Sequence, residues 1–475
     1  MNALSPVILR EAPAFHATAP VVVVGGGAAG LTAALAAREA GLEVIVLERD
    51  PVPQGSTALS SGLVPAAGTQ AQKRRGIPDS PDLFIRDLTA KAKGKAAPRL
   101  VATVAHEIGP AIDWLSGRHG VPFDVVEGFL YPGHSVLRMH GTPRRTGAEL
   151  MDHLRGAAER AGIDVVTDAH VHGLYAGPDG RVLGVRIDRP DGSAEDLGCA
   201  SLVLACSGFG GNPEMVRRYI PEMADALFFG HTGNTGDAIA WGAALGAGLR
   251  DMGAYQGHGS VATPSNVLIT WALMMEGGFQ VNAAGERFSN EHEGYSEQSV
   301  AVLAQPGGGV AWNIYDQRLH DLGLAFEDYR HAVAAGAIRS GDAIEGLAAQ
   351  LGLPAATLAA TLADAQALAA TDGRRDRFGR RFSGKPALAP PFYGVKVTGA
   401  LFHTQGGVLI DEQARVLQAS GNALPNLFAA GGAACGVSGP AVWGYLSGNG
   451  LLAAVGFGRI AGRSAAALLG RAPAA

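Results

Sequence analysis

Four consecutive valines, Val21 to Val24, run straight into glycine, and a second apolar run, Val44-Ile45-Val46-Leu47, follows an alanine-rich segment with helical spacing. Uninterrupted apolar runs of this length, bounded by turn residues, predict strands buried on both faces, so residues 21–50 read as a βαβ unit. Val101 to Leu115 and Thr146 to Ala161 carry the periodicity of amphipathic helices. Ile163 to Val166 and Val182 to Ile187 predict short strands, the latter closed by a Pro190-Asp191-Gly192 turn, and Leu202 to Ala205 predicts a buried strand. From about Tyr255 to Pro386 the pattern changes to short strands, an alanine-rich helical stretch from Ala332 to Ala370, and a basic connector from Gly373 to Lys385. Beyond it, Leu427 to Ala430 predicts a strand, and Ser447-Gly448-Asn449-Gly450-Leu451-Leu452 opens a last helix. No internal repeat is apparent.

At 475 residues the chain exceeds the roughly 250 to 300 at which one hydrophobic core stops growing, so two domains are expected. The change of pattern places a second domain at 255–386, inserted between two parts of the first, 1–254 and 387–475. With 38 basic and 43 acidic residues the net charge is −5, which gives no sign of a nucleic-acid or membrane-surface partner. Cys199, Cys206 and Cys435 form no C-x-x-C pair, which argues against disulfide or metal frameworks and suits a reducing cytoplasm. Met1 to Pro20 lacks the basic and apolar regions of an export signal, and no 18-residue apolar run is free of glycine or polar interruption. A soluble, cytoplasmic protein with no membrane span is expected.

The glycines after the first strand carry chemistry. Gly25, Gly27 and Gly30 have the G-x-G-x-x-G spacing that permits a tight turn, close approach of backbone to a pyrophosphate, and close packing of helix on strand. Glu48, 18 residues after Gly30 near the end of the second strand, is placed to accept from ribose hydroxyls and to disfavour a 2′-phosphate. Strand, glycines, helix, strand and acid in register predict a dinucleotide site. Ser56, Thr57, Ser61 and Gly62 lie in a Gly/Ser/Thr loop that can wrap the cofactor; Ser207, Gly208 and Asn212 follow the buried strand, and Asp237 ends a glycine turn. Ala29, Arg49 and Val171 complete the expected cofactor neighbours on this side, and Gly432, Ser447 and Leu451 those from the chain's end. No second such fingerprint appears, so a separate electron donor or acceptor is expected.

Together the N-terminal fingerprint, the His403-Thr404-Gln405-Gly406-Gly407 segment, the Leu427 to Gly431 strand and the Ser447 to Leu452 helix start resemble the FAD-dependent fumarate reductase and 3-ketosteroid 1-dehydrogenase superfamily. The resemblance spans nearly the whole chain. It implies an α/β fold: a Rossmann-like FAD-binding domain, discontinuous in sequence, with an inserted α+β capping domain. It also implies non-covalent FAD, since the loop holding the flavin-bearing histidine of covalent relatives reads Ser56-Thr57 here. Where relatives place an acid after the Ala-Ala-Gly of the last strand, this chain has Gly432, removing an expected ribityl contact.

On the substrate side the resemblance divides. After Arg287-Phe288-Ser289-Asn290-Glu291, the arginine that delivers a proton in fumarate reductases is replaced by Tyr295, and its supporting Glu and Arg by Trp271 and Met274. The carboxylate-clamping arginine is also absent from Gly439-Pro440-Ala441-Val442-Trp443-Gly444-Tyr445, a pattern similar to the ketosteroid dehydrogenases. His258 and His403 persist as in fumarate reductases.

The expected activity is formation or reduction of a C=C bond conjugated to a ketone in a cyclic or steroid-like small molecule. The alternatives are reduction of unsaturated carboxylates, or a flavin-bearing protein without catalysis. Tyr295 is the candidate base, with packing as its bland reading. His403 serves as substrate contact or backbone anchor, and His258 as proton partner or structural group. Tyr445 contacts substrate or packs on flavin, and Cys435 to Ser438 supply candidate amides for an enolate oxygen. Trp271, Met274 and Met275 read as apolar lining, and Cys435 as an inert thiol.

Overall fold

The computed structural model describes residues 7–471, so residues 1–6 of the segment read for an export signal lie outside the described residues. The valine run becomes the strand Ala17–Val24, with the first helix, Ala28–Glu39, and the strand Val44–Leu47 directly after it. These belong to a nine-stranded sheet in which Ala17–Val24 pairs in parallel with Val44–Leu47 on one side and with Ala194–Leu204 on the other. The strand Ala423–Ala429, from the far end of the chain, adds in parallel to Ala194–Leu204. Register brings Val24, Leu47, Leu204 and Ala429 into one line at the carboxyl ends of four strands. In open α/β sheets that edge is where ligands bind.

The alanines of the first helix are a packing requirement. All residues from Ala28 to Ala37 are buried, because one face of the helix meets the sheet and another the last helix, Asn449–Leu468. Glycine makes the approach possible: a Cβ on Gly462 would stand 2.1 Å from the carbonyl oxygen of Ala33. This last helix has the length and mean apolarity of a membrane span, although glycines and two arginines interrupt it, and 67% of its 18-residue apolar window is buried inside the protein. The first glycine turn follows the same logic, since a Cβ on Gly30 would lie 1.8 Å from the Gly25 carbonyl oxygen.

The helix predicted over 101–115 extends to Pro98–His119, with proline in its first turn and the left-handed Gly120 as its cap. That predicted over 146–161 is Gly147–Arg160, with the Thr146 side chain capping the Glu149 amide.

A seven-stranded second sheet is built around Phe392–Thr404, which pairs with Tyr255–Ala262 and Val310–Asp316 and also receives Leu227–Phe228 and Ile338–Gly341. The sheet thus draws on residues before, within and after 255–386. The stretch 332–370 is not continuously helical. Helices Glu327–Ala334, Ile344–Leu351 and Ala355–Ala369 are separated by the strand Ile338–Gly341, because Gly336 and Gly341 bound a short segment that pairs on the edge offered by Phe392–Val395.

Candidate active site

A single cavity extends from the glycine turn to the second sheet. Its nearer part is lined by Gly25, Gly27, Ala29, Glu48, Arg49, Ser56, Thr57, Ser61, Gly62, Val171, Ser207, Asp237 and Gly432, and beyond them by Ser447 and Leu451. Gly27 caps the first helix without a side-chain hydrogen bond, which leaves helix amides facing the cavity, while Thr57 Oγ1 accepts from the Ala28 amide at 3.2 Å. Glu48 Oε2 accepts from Gly26 N at 2.7 Å and Oε1 from Asp50 N at 3.0 Å, which fixes the carboxylate while each oxygen keeps acceptor capacity. The Arg49 guanidinium fills the space beside Gly233, its Nη2 only 0.8 Å from where a Cβ there would stand.

Three expected cofactor neighbours do not line this cavity. Gly30 serves the helix–strand contact described above. Gly208 sits against Thr404, whose Oγ1 would be 2.0 Å from an added Cβ. Asn212 caps the helix Pro213–Tyr219, its Oδ1 accepting from the Glu214 and Met215 amides at 3.1 Å. The absence of an acid at Gly432 has a steric reason: a Cβ there would lie 2.9 Å from Gly208 N.

The far part is aromatic. Tyr295 is the first residue of the helix Tyr295–Leu303. Its ring stacks on His258 with centroids 4.8 Å apart and planes at 22°, and meets Tyr445 edge-on at 6.1 Å. Trp271 stands perpendicular to His258 at 5.7 Å, and His403 meets Tyr445 at 5.6 Å. Tyr131, Phe326, Phe402, Gln256 and Asp328 join the lining, and none of them was singled out from sequence. They come from a loop, a helix start and two strands with no motif among them. Met274 is instead fully buried in the core behind the wall.

Both histidines are neutral. Burial pushes His258 down to about 3, and its Nδ1 accepts from the Ser260 amide at 3.1 Å, which leaves the proton on Nε2. Burial likewise takes His403 to about 4, with Gln405 Nε2 3.2 Å from its Nδ1. Burial raises Tyr295 to about 12, although the Ser447 hydroxyl, the Tyr445 hydroxyl and the Gly448 amide all favour its phenolate. Tyr445 is held higher still, by burial and by Tyr295, and its hydroxyl donates to Gln256 Oε1 at 2.9 Å. Of the two phenols, Tyr295 is the one that ionises first.

Of the amides at Cys435 to Ser438, two are already engaged, Cys435 N donating to Val408 O and Gly436 N to Gln405 O, and none of these four residues lines the cavity. The donor closest in role is Gly448 N–H, at the start of the last helix. Cys435 is buried and its thiol is pushed up to about 11, so it is inert. Among the described residues, Arg49 is the sole lysine or arginine lining the cavity, and it stands at the glycine-turn end. Asp328, its carboxyl pushed upward by burial, faces the aromatic part.

Residues 20–451 match the family model described as FAD binding domain. The chain belongs to this family. Among its relatives, a probable fumarate reductase of Shewanella frigidimarina is 33% identical over 94% of this chain and 75% of its own. The open conformation of a flavocytochrome c3 fumarate reductase superposes with a TM-score of 0.79 at 32% identity, covering 96% of this chain and 79% of the other. The 3-ketosteroid-Δ4-(5α)-dehydrogenase of Rhodococcus jostii RHA1, bound to 4-androstene-3,17-dione, gives 0.75 at 26% identity over 96% and 100%. The protein is therefore an FAD-dependent oxidoreductase acting on C=C bonds. The helix start, whose cap residue Gly27 has no side chain, the glycine turn and the fixed Glu48 carboxylate fit the pyrophosphate and ribose of FAD.

Proposed function

We propose that this flavoenzyme forms or reduces a C=C bond conjugated to a ketone in an apolar, cyclic substrate. The observation that carries this reading is a phenol, Tyr295, facing an aromatic pocket whose lining offers no lysine or arginine. Bound FAD supplies the hydride acceptor or donor for the β-carbon. Tyr295 takes the α-proton in desaturation and returns it in reduction, while the Gly448 amide, and the Tyr445 hydroxyl once it turns from Gln256, donate to the developing enolate oxygen. Trp271, Phe326 and Phe402 supply the walls that an apolar ring system fills. Attachment of FAD is non-covalent, electrons pass to or from a separate carrier, and the three free thiols suit the cytoplasm.

A second reading, reduction of an unsaturated carboxylate, is favoured by the probable fumarate reductase above. It requires anion contacts, and the pocket offers two neutral histidines and the opposing carboxyl of Asp328. The reduced flavin, mixed anaerobically with 4-androstene-3,17-dione, cyclic enones or fumarate, separates the two. Reoxidation by an enone and not by fumarate is expected; reoxidation by fumarate alone overturns the ketone reading.

A further inference from the structure

Behind the Ser447–Gly448 peptide lies a buried polar chain that the reaction as described does not use. Arg138, 1% exposed, donates to Asp79 through Nε and Nη2 at 2.9 and 2.8 Å and to Asp87 through Nη1 at 2.6 Å. The same Nη1 lies 3.2 Å from His134 Nδ1, and His134 Nε2 lies 3.0 Å from the carbonyl oxygen of Ser447. A guanidinium can only donate, so Nδ1 is an acceptor and a neutral ring carries its proton on Nε2. Burial first, and Arg138 second, hold His134 in the neutral form. Nε2–H therefore donates to Ser447 C=O. Phe84 covers both His134 and Arg138, its ring centroid 4.4 Å from the guanidinium carbon.

Ser447 C=O and Gly448 N–H are the two ends of one peptide group. Gly448 takes φ +86° and caps the last helix, and it lines the cavity beside Tyr295 and Tyr445. Its amide acts on both hydroxyls. A donor on the carbonyl of a peptide polarises the N–H at its other end.

We propose that His134 is a positioning residue for the carbonyl side of the site: held by Arg138 and its two aspartates, it fixes and polarises the Ser447–Gly448 peptide so that Gly448 N–H binds oxyanions. The preferred anion is one with its charge on a single oxygen attached to an unsaturated carbon, as in an enolate or a phenolate. This inference rests on the ketone reading above. It adds that the oxyanion site is built from behind, by residues of the 79–138 segment that touch neither substrate nor flavin.

The test uses the flavin-loaded protein and two probes, 4-nitrophenol, whose own absorbance reports its ionised form, and 4-nitroanisole, its uncharged ether. The wild type is expected to bind the phenolate in preference to the ether. His134→Leu should weaken 4-nitrophenolate about tenfold and leave 4-nitroanisole unchanged, while His134→Gln, which can donate to the same carbonyl, restores binding to within about threefold. Flavin content and melting temperature identify a misfolded variant, and the Gln variant then carries the test. Equal weakening of both probes, unchanged phenolate binding in His134→Leu, or failure of His134→Gln to differ from it overturns the inference. Loss of turnover in Tyr295→Phe together with unchanged phenolate binding in His134→Leu removes this inference alone; turnover retained in Tyr295→Phe removes the ketone reading as well.

Discussion

Tyr295 shows how a single side chain can be read by type from sequence and corrected by environment. An unperturbed phenol sits near pH 10, and an active base is expected nearer neutrality, yet burial leaves Tyr295 at about 12. The resting group is a loaded proton donor. Two outcomes follow for steady-state rates measured against pH with flavin transfer rate-limiting. In the reducing direction the rate should stay flat from neutrality upward until the phenol ionises, whereas desaturation should rise about tenfold per pH unit below that point. Tyr295→Phe should keep bound flavin, visible in its absorbance, and lose roughly 10²- to 10⁴-fold in turnover. Near wild-type turnover would remove Tyr295 from the chemistry. The type of residue and its neighbour Tyr445 were legible because motifs flank them. Tyr131, Phe326 and Asp328 were not, since a cavity wall assembled from a loop and a helix start leaves no spacing to read.

At the scale of elements, close packing separates what periodicity reveals from what it hides. The first βαβ unit was legible because buried parallel strands give apolar runs and the glycine turn has fixed spacing. The strand Ile338–Gly341 was hidden inside an alanine-rich stretch, because pairing with Phe392–Val395 outweighs local helix preference. The span-like composition of Asn449–Leu468 similarly reflects burial against the first helix, with Gly462 over the Ala33 carbonyl. Gly462→Val should therefore lower stability by about 1–3 kcal/mol through overpacking, read as a lower melting temperature. An unchanged melting temperature would show that these helices yield freely.

Across the whole molecule, buried charge ties the basic connector to the second sheet. Glu291, fully buried, meets Arg287 at 2.6 Å and Arg380 at 2.9 Å, and Asp376 also pairs with Arg287. The run 373–385 read as a basic linker is thus partly interior, which composition alone does not reveal. Burial acts to raise Glu291, but Arg380 and Arg287 outweigh it and bring it to about 2, against 4.5 when free. A depressed acid stabilises the fold above its unfolded value and ceases to do so as pH falls through its folded one. Stability should accordingly decline between about pH 4.5 and 2, and Glu291→Gln should weaken that decline while costing about 3–5 kcal/mol at neutral pH in denaturant titrations. A second whole-molecule outcome concerns the cofactor: acid precipitation of the holoprotein should leave the yellow colour in the supernatant, and colour retained in the pellet would establish a covalent link.

The alignment of Val24, Leu47, Leu204 and Ala429 at one sheet edge has a consequence for biogenesis. A ribosome that has released only the first two hundred residues has made the glycine turn but neither Gly432 nor the Ser447–Leu451 helix start. The cofactor seat is then half a seat. Flavin capture accordingly belongs to the finished polypeptide, and a chain cut short anywhere before its last helix is born colourless.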